Sequence, residues 1–227
     1  MTQVQSYNGG DWVTTRTDSI TGQSFDVSMQ EEQSLNGGAH ATETIGWFAI
    51  DSGTENDGDT ILEGGITGNS FNHDPSAGSF SASFNDAPAL IAKLGSYRGG
   101  DPASLRTTEI STSGFKALVH EEQSADKEKK HIKESIHFLA LDSSFGALEG
   151  DEYSSQSSST SSTTSSTSTS SSSSSDSSSI GEYGTLSLNH NWQTVSFNNQ
   201  YTNPVVIVSD PSFNGGDPGN IRIKIVG

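Results

Sequence analysis

Apolar residues in this chain fall in short runs, and no window keeps a helical period for three turns. Ala89-Leu-Ile-Ala-Lys-Leu94 and Val205-Val-Ile-Val208 each follow a proline and read as buried strands. Phe25, Val27 and Met29 alternate with Asp26, Ser28 and Gln30, as in a half-exposed strand with the apolar side inward. Ser79–Phe84 alternates weakly. Ile45–Ile50 and Ile136–Leu141 are apolar on both parities, which predicts central strands covered on both faces. Gly-Gly-Asp segments lie between runs and supply turns. The stretch Ala125–Glu134 reads as a charged loop tip, and the acidic run Asp51–Asp59 as a turn between modules. The pattern predicts an all-β chain of antiparallel β-sandwich modules, each with about six short strands.

The strand pattern repeats. Tyr7-Asn-Gly-Gly-Asp11 recurs as Tyr97-Arg-Gly-Gly-Asp101 and as Phe213-Asn-Gly-Gly-Asp217, each followed five positions after the Asp by an arginine: Arg16, Arg106 and Arg222. Glu31-Glu32-Gln33-Ser34 matches Glu121-Glu122-Gln123-Ser124, and His40-x-x-Glu43-x-Ile45 matches His131-x-x-Glu134-x-Ile136. Trp47-Phe-Ala-Ile-Asp-Ser52 matches Phe138-Leu-Ala-Leu-Asp-Ser143. The expected organisation is a partial repeat over 1–53, a complete repeat over 61–148, a Ser/Thr-rich linker over 154–179 and a second partial repeat over 180–227. All but Gln156 and Asp176 of that linker are Ser or Thr, so it has no apolar surface to offset chain entropy and is expected to be disordered.

Charge narrows the classes of partner. The net charge of −17 argues against nucleic acid, which needs a basic stripe, and against anionic lipid. It suits a saline setting, where salt screens the repulsion. The chain has no cysteine, hence no disulfide framework and no thiolate chemistry. No apolar run approaches the ~18 residues of a membrane span, and no secretory signal is visible.

The strongest chemical constellation is Arg, Glu-Glu and His-x-x-Glu, present in both longer copies. Strand parity points Glu31, Glu43, Glu121 and Glu134 to the core side, where a lone charge is costly, and Arg16 or Arg106 is the expected bidentate partner. One reading is a bonded scaffold at the sandwich rim. The other is a ligand site built from Asp11, Trp12, Arg16, Glu31, Glu32, His40 and Glu43 in one copy, and Asp101, Arg106, Glu121, Glu122, His131 and Glu134 in the other. No cofactor is implied, and Ca²⁺ has no specific motif, since the acidic run fails the EF-hand spacing. No nucleophile elbow, zinc-protease motif or phosphate loop occurs, so no enzyme is expected. Adjacent Glu31 and Glu32 point to opposite strand faces and cannot flank one glycosidic bond. Trp12, Trp47 and Trp192 are candidates for stacking on sugars, with Trp47 expected in the core and Trp12 exposed.

Trp192-Gln-Thr-Val-Ser-Phe197, Tyr201, Pro204-Val-Val-Ile207, Gly-Gly-Asp-Pro218 and Arg222 look like the first half of modules found in large bacterial and archaeal surface proteins. Ser113-Gly-Phe115, Glu121-Glu122 and His131-x-x-Glu134-x-Ile-x-Phe-Leu-Ala-Leu141 look like the second half. These modules are similar to the H-type lectin domain of snail agglutinins and discoidins. The resemblance implies a six-stranded antiparallel sandwich that trimerises and binds sugars, typically N-acetylgalactosamine, near subunit interfaces. It therefore implies an extracellular, cell-surface or virion-surface array for adhesion or glycan binding. Its partners would be a glycan or another cell-surface ligand, and copies of itself through open sheet edges or trimerisation. A structural subunit of a filament or virion appendage, assembled by strand complementation of the incomplete end modules, is the alternative.

Overall fold

A computed structural model describes residues 1–34, 40–56, 60–143, 145–150, 178–202 and 204–223. Most of the expected Ser/Thr linker, 154–177, lies outside the described residues; Ser178 and Ser179 begin a strand. The first repeat holds β1 (Thr2–Val4), β2 (Val13–Asp18), β3 (Asp26–Glu31) and β4 (Ile45–Trp47). The second holds β5 (Gly53–Asn56), β6 (Ile61–Ile66), β7 (Ser76–Ser79), β8 (Ala89–Leu94), β9 (Ala103–Ser111), β10 (Gly114–Glu121) and β11 (Ile136–Leu141). β12 (Phe145–Gly150) and β13 (Ser178–Gly184) follow. All pairings between these strands are antiparallel, and no helix occurs among the described residues. The protein is an all-β chain of small antiparallel sheets.

The second repeat is a sandwich. One sheet runs β5-β6-β11-β8 and the other β7-β10-β9. Between them lie Phe71, Phe84, Leu90, Leu94, Leu105, Phe115, Val119, Ile136 and Phe138, all buried. Phe115 of β10 meets Phe138 of β11 edge to face, with ring centroids 5.4 Å apart, so the two sheets touch through aromatic rings. Gly65 of β6 lies under the Phe138 ring, where a Cβ would collide with it.

Copies of one sequence pattern end in different environments. Phe138 is 5% exposed, whereas its counterpart Trp47 is 59% exposed and packs only on Phe25 among aromatic neighbours, at 5.9 Å. The expectation of a buried Trp47 and of a run Ile45–Ile50 covered on both faces is therefore corrected. β1 and β4 form a two-stranded sheet, and the first repeat has no equivalents of β6 and β7 to cover it. The alternation in β3 is also reversed from expectation, with Val27 exposed and Gln30 buried. The cause is a polar contact: Gln30 Nε2 donates to Tyr97 Oη and the Gly100 carbonyl, both at 3.0 Å. Within the acidic run, Gly53–Asn56 is strand β5, paired with β6, instead of a turn; residues 57–59 lie outside the described residues.

The chain divides into two compact units, Met1–Ser144 with Thr202–Gly227, and Phe145–Tyr201. In the second unit β12 pairs with β13, and the Glu182 carboxylate accepts from the backbone N–H groups of Asn198 and Asn199. The segment expected as one partial repeat, 180–227, is thus shared between the units. Residues 204–210 form no strand and Val205 is 61% exposed, so the buried strand expected at Val205–Val208 is corrected too. An apolar run needs a backbone ladder to sit as a central strand, and here, among the described residues, its neighbours reach it through side chains: Gln5 Nε2 donates to the Val206 carbonyl at 2.6 Å, and Ala92 N–H donates to Ser209 Oγ at 3.2 Å. The segment is also anchored by Asp210, whose carboxylate meets Lys93 Nζ at 2.5 Å and the Leu105 N–H at 3.0 Å.

Candidate functional site

Each of the three arginines leaves its own repeat and enters the aromatic-Gly-Gly-Asp turn of another. Arg16 of β2 donates to the Ser96 carbonyl at 3.0 Å and lies 4.7 Å above the Tyr97 ring. Arg106 of β9 donates to the Ser212 carbonyl at 2.8 Å and lies 5.1 Å above the Phe213 ring. Arg222 donates to the Ser6 carbonyl at 3.4 Å and lies 4.5 Å above the Tyr7 ring. Ser6, Ser96 and Ser212 hold equivalent positions, one before the aromatic residue. First repeat enters second, second enters third, third enters first. The rigid guanidinium fork serves here because it combines several parallel donors with a flat face that stacks on a ring.

The second-repeat socket is the most complete. Arg16 Nη2 meets Glu134 Oε1 at 2.6 Å, with both side chains fully buried. Glu134 also accepts from the Arg98 N–H at 3.0 Å, the Gly99 N–H at 2.9 Å and Ser96 Oγ. His131 stands between two carboxyls, with Nε2 3.0 Å from Glu134 and Nδ1 2.7 Å from Glu121. Burial alone would raise the Glu134 pKa. The bonds from His131, Gly99 N–H and Ser96, with the Arg16 charge, outweigh burial and bring it down to about 2. Burial raises Glu121 despite its bond to His131, and lowers Arg16 against the pull of Glu134. The imidazole packs directly on Gly99, where any Cβ would collide with it. That contact explains the first glycine of the turn.

The other sockets vary this plan. In the first repeat Glu43 takes the Glu134 role, accepting from Ser6 Oγ at 2.5 Å, from Asn8 N–H at 3.0 Å, and pairing with Arg222 at 2.9 Å. Burial pushes its pKa up, and these partners bring it below its ordinary value. His40 packs on Gly9 as His131 packs on Gly99, but its Nδ1 faces the Ala41 carbonyl and its Nε2 lies 3.9 Å from Glu31. In the third repeat Arg106 donates to the carbonyls of Pro211, Ser212, Gly215 and Asp217. No carboxylate pairs with it among the described residues. His120 Nδ1 faces it at 3.4 Å, and burial together with the Arg106 charge lowers the His120 pKa.

Of the two arginines expected as a bidentate partner for these carboxylates, Arg16 is the one that pairs, with Glu134 and through Nη2 alone. Arg16 joins Glu121, His131 and Glu134 of the second repeat, and Arg106 points from β9 away from them. The remaining candidates are dispersed. Glu32 caps the Trp12 N–H, and Trp12 is half-buried instead of exposed. Asp11 contributes its carbonyl to Arg222 at 3.1 Å. Glu31 is half-buried, while Glu122 accepts from the Gln33 N–H at 3.0 Å and Ser124 Oγ at 2.7 Å. Asp101 Oδ1 accepts from Gln33 Nε2 at 2.7 Å. Ring stacking on Tyr7, Tyr97 and Phe213 was not foreseen, although the aromatic at the head of each Gly-Gly-Asp turn was its signal.

One cleft lies where the first two repeats meet. It encloses about 480 Å³ and is lined by Glu31, Gln33, His40, Tyr97, Asp101 and their neighbours. His40 Nε2 and Gln33 Oε1 are buried there without a hydrogen-bond partner. Among the described residues no group of three or more His, Asp or Glu is arranged to hold a metal ion.

No known family model matches the chain, and no solved structure does. The chain is similar to halomucin of Haloquadratum walsbyi, at 27% identity over 145 residues. That stretch is 63% of this chain and 2% of halomucin, so the chain spans a small fraction of this curated relative. The match and the all-β fold together fit a surface β-sandwich protein.

The Glu134 pKa sets an acid dependence. Its folded value lies below the unfolded one, so its contribution is complete above pH ~4.5 and is lost as pH falls toward about 2. The shift corresponds to about 3 kcal/mol at neutral pH. Denaturant unfolding between pH 7 and 2 is expected to show Glu134→Gln less stable at neutral pH and less acid-sensitive by that amount. An unchanged acid slope in the variant would contradict the assignment.

Proposed function

We propose that this chain is a non-enzymatic structural array of an extracellular or cell-surface protein, in which arginine exchange fuses three repeats into one block. The observation that carries this is the fully buried Arg16–Glu134 pair joining the first repeat to the second. A site meant for a ligand leaves its carboxylate open toward it, whereas Glu134 is bonded by Arg16, His131, Ser96 and the Arg98 and Gly99 N–H groups. The resemblance to H-type lectins supports the same reading, because that family brings three separate subunits together. Here the first two repeats and residues 202–227 of the third belong to one unit of one chain. The acidic surface suits high salt, and halomucin comes from Haloquadratum walsbyi.

Hydrogen exchange read by mass spectrometry tests the fusion. Arg16→Met takes the guanidinium from buried Glu134 and leaves it His131, Ser96 and the Arg98 and Gly99 N–H groups, a loss of at most about 3–5 kcal/mol. Protection is expected to fall in β8 and β11 of the second repeat as much as in β2, which carries Arg16. A fall confined to the first repeat would mean independent beads and would overturn the proposal.

A second reading, adhesion through a bound glycan, is favoured by the cleft between the first two repeats. His40 Nε2 and Gln33 Oε1 are unpartnered there, and Tyr97 and Asp101 line the same space. Sugar hydroxyls donate, which suits two unpaired acceptors, the His40 Nε2 lone pair left by the Nδ1–H bond to the Ala41 carbonyl and the Gln33 carbonyl oxygen. The full chain on a glycan array is expected to bind a neutral sugar and to lose it in His40→Ala. Absence of binding at millimolar sugar would remove this reading.

A further inference from the structure

One pair of residues is closed in the second repeat and open in the first. Glu121 and His131 meet at 2.7 Å, and the other ring nitrogen of His131 is bonded to Glu134. Their counterparts Glu31 and His40 stand apart, with His40 Nε2 3.9 Å from Glu31 Oε1. The His40 side chain is only 5% exposed. Its Nδ1–H donates to the Ala41 carbonyl at 2.7 Å, so Nε2 carries the free lone pair, and that nitrogen has no hydrogen-bond partner. A buried acceptor left unbonded is costly, and the closed pair of the second repeat avoids that cost.

Glu31 and His40 both line the cleft of about 480 Å³ between the first two repeats. The described lining holds no Lys or Arg, and its amide donors are taken up. Gln30 Nε2 donates to the Tyr97 hydroxyl and the Gly100 carbonyl. Gln33 Nε2 donates to Asp101 Oδ1, while Gln33 Oε1 is buried without a partner. Asp101 adds a second carboxylate to that of Glu31. Arg16, which lies over the Tyr97 ring, is already paired with Glu134. The cleft is therefore negative and rich in acceptors. Among the described residues no group of His, Asp and Glu is arranged for a metal ion, so the cation that suits it is an organic one. A primary ammonium brings three donors, a positive charge and no acceptor that would go unused. One nitrogen at the ~2.9 Å of an ordinary hydrogen bond reaches His40 Nε2 and Glu31 Oε1 together, since these lie 3.9 Å apart. Gln33 Oε1 and the Asp101 carboxylate line the same space for the third donor.

We infer that this cleft is a binding site for a primary ammonium group, such as an amino sugar carries. The inference rests on the glycan reading above and names the group that the cleft selects; the hydroxyls of a neutral sugar use the same acceptors more weakly, without the charge.

Titration of the full-length chain with glucosamine, glucose and N-acetylglucosamine at pH 7 and constant ionic strength, followed through the His40 imidazole and Gln33 amide signals by NMR, tests it. Glucosamine is expected to bind at least about tenfold more tightly than either neutral sugar, because it alone carries the charge. Glu31→Gln is expected to bring glucosamine down to the affinity of glucose. Glu31 pairs with no Lys or Arg among the described residues, so the variant is expected to keep its fold, which an unchanged urea midpoint checks. Nα-acetyl-lysine amide, as a fourth ligand, separates the ammonium from the sugar ring. Equal affinities for glucosamine and glucose, or glucosamine binding undiminished in Glu31→Gln, would overturn the inference and leave the glycan reading standing. Binding of the lysine amide and of none of the sugars would keep the ammonium site and remove the glycan reading. Binding of none of the four at millimolar concentration would overturn both.

Discussion

A guanidinium buried in another repeat is the constraint on which the rest of this structure depends. An arginine cannot lose its proton at any ordinary pH, so burying it requires acceptors for its N–H groups. Each aromatic-Gly-Gly-Asp turn offers carbonyls to the outer guanidinium nitrogens, while Nε of Arg16 and of Arg222 is buried without a partner among the described residues. The turn aims several carbonyls at the guanidinium, and the aromatic ring lies against its face. Two of the turns gain a carboxylate from a following His-x-x-Glu segment, and the histidine seats that segment against the first glycine. The turn, the arginine and the His-x-x-Glu segment therefore form one device spread over three places in the sequence.

Such a device explains how thin pieces of sheet persist. The first repeat has only two-stranded sheets, and the third has no strand among residues 204–223. Neither encloses a core like that of the second repeat, where Phe71, Phe115 and Phe138 lie between two sheets. Isolated hairpins are marginal in water. Arginine exchange, with the Lys93–Asp210 pair, ties both thin repeats to the well-packed one. Buried ion pairs add little stability over apolar packing, but they fix which partner sits where. Here they specify that each turn receives an arginine from a different repeat.

Much of the architecture was legible in the sequence. The repeat, the short strands and the buried β8 and β11 all follow from local apolar runs, and local patterns are what a sequence states directly. The failures share one cause, which is that identical patterns acquire different neighbours. Trp47 and Phe138 occupy the same position, yet only Phe138 has β6 and β10 to cover it. Val205–Val208 reads like Ala89–Leu94 but has no β11 beside it. The chemistry of the Arg, Glu and His groups was legible as a satisfied network, but which copy supplied the arginine was not. Periodicity lists what each repeat contains and is silent about exchange between repeats.

The central claim is that arginine and glutamate of different repeats stabilise the fold jointly. A double-mutant cycle on Arg16 and Glu134, using Arg16→Met, Glu134→Gln and the double variant in denaturant unfolding, measures that coupling directly. Residues sharing a buried network couple by about 0.5–3 kcal/mol, and a fully buried pair belongs at the upper end. The account predicts a coupling above about 1.5 kcal/mol, with the double variant far less destabilised than the sum of the single ones. Additive effects, with a coupling below about 0.5 kcal/mol, would contradict it.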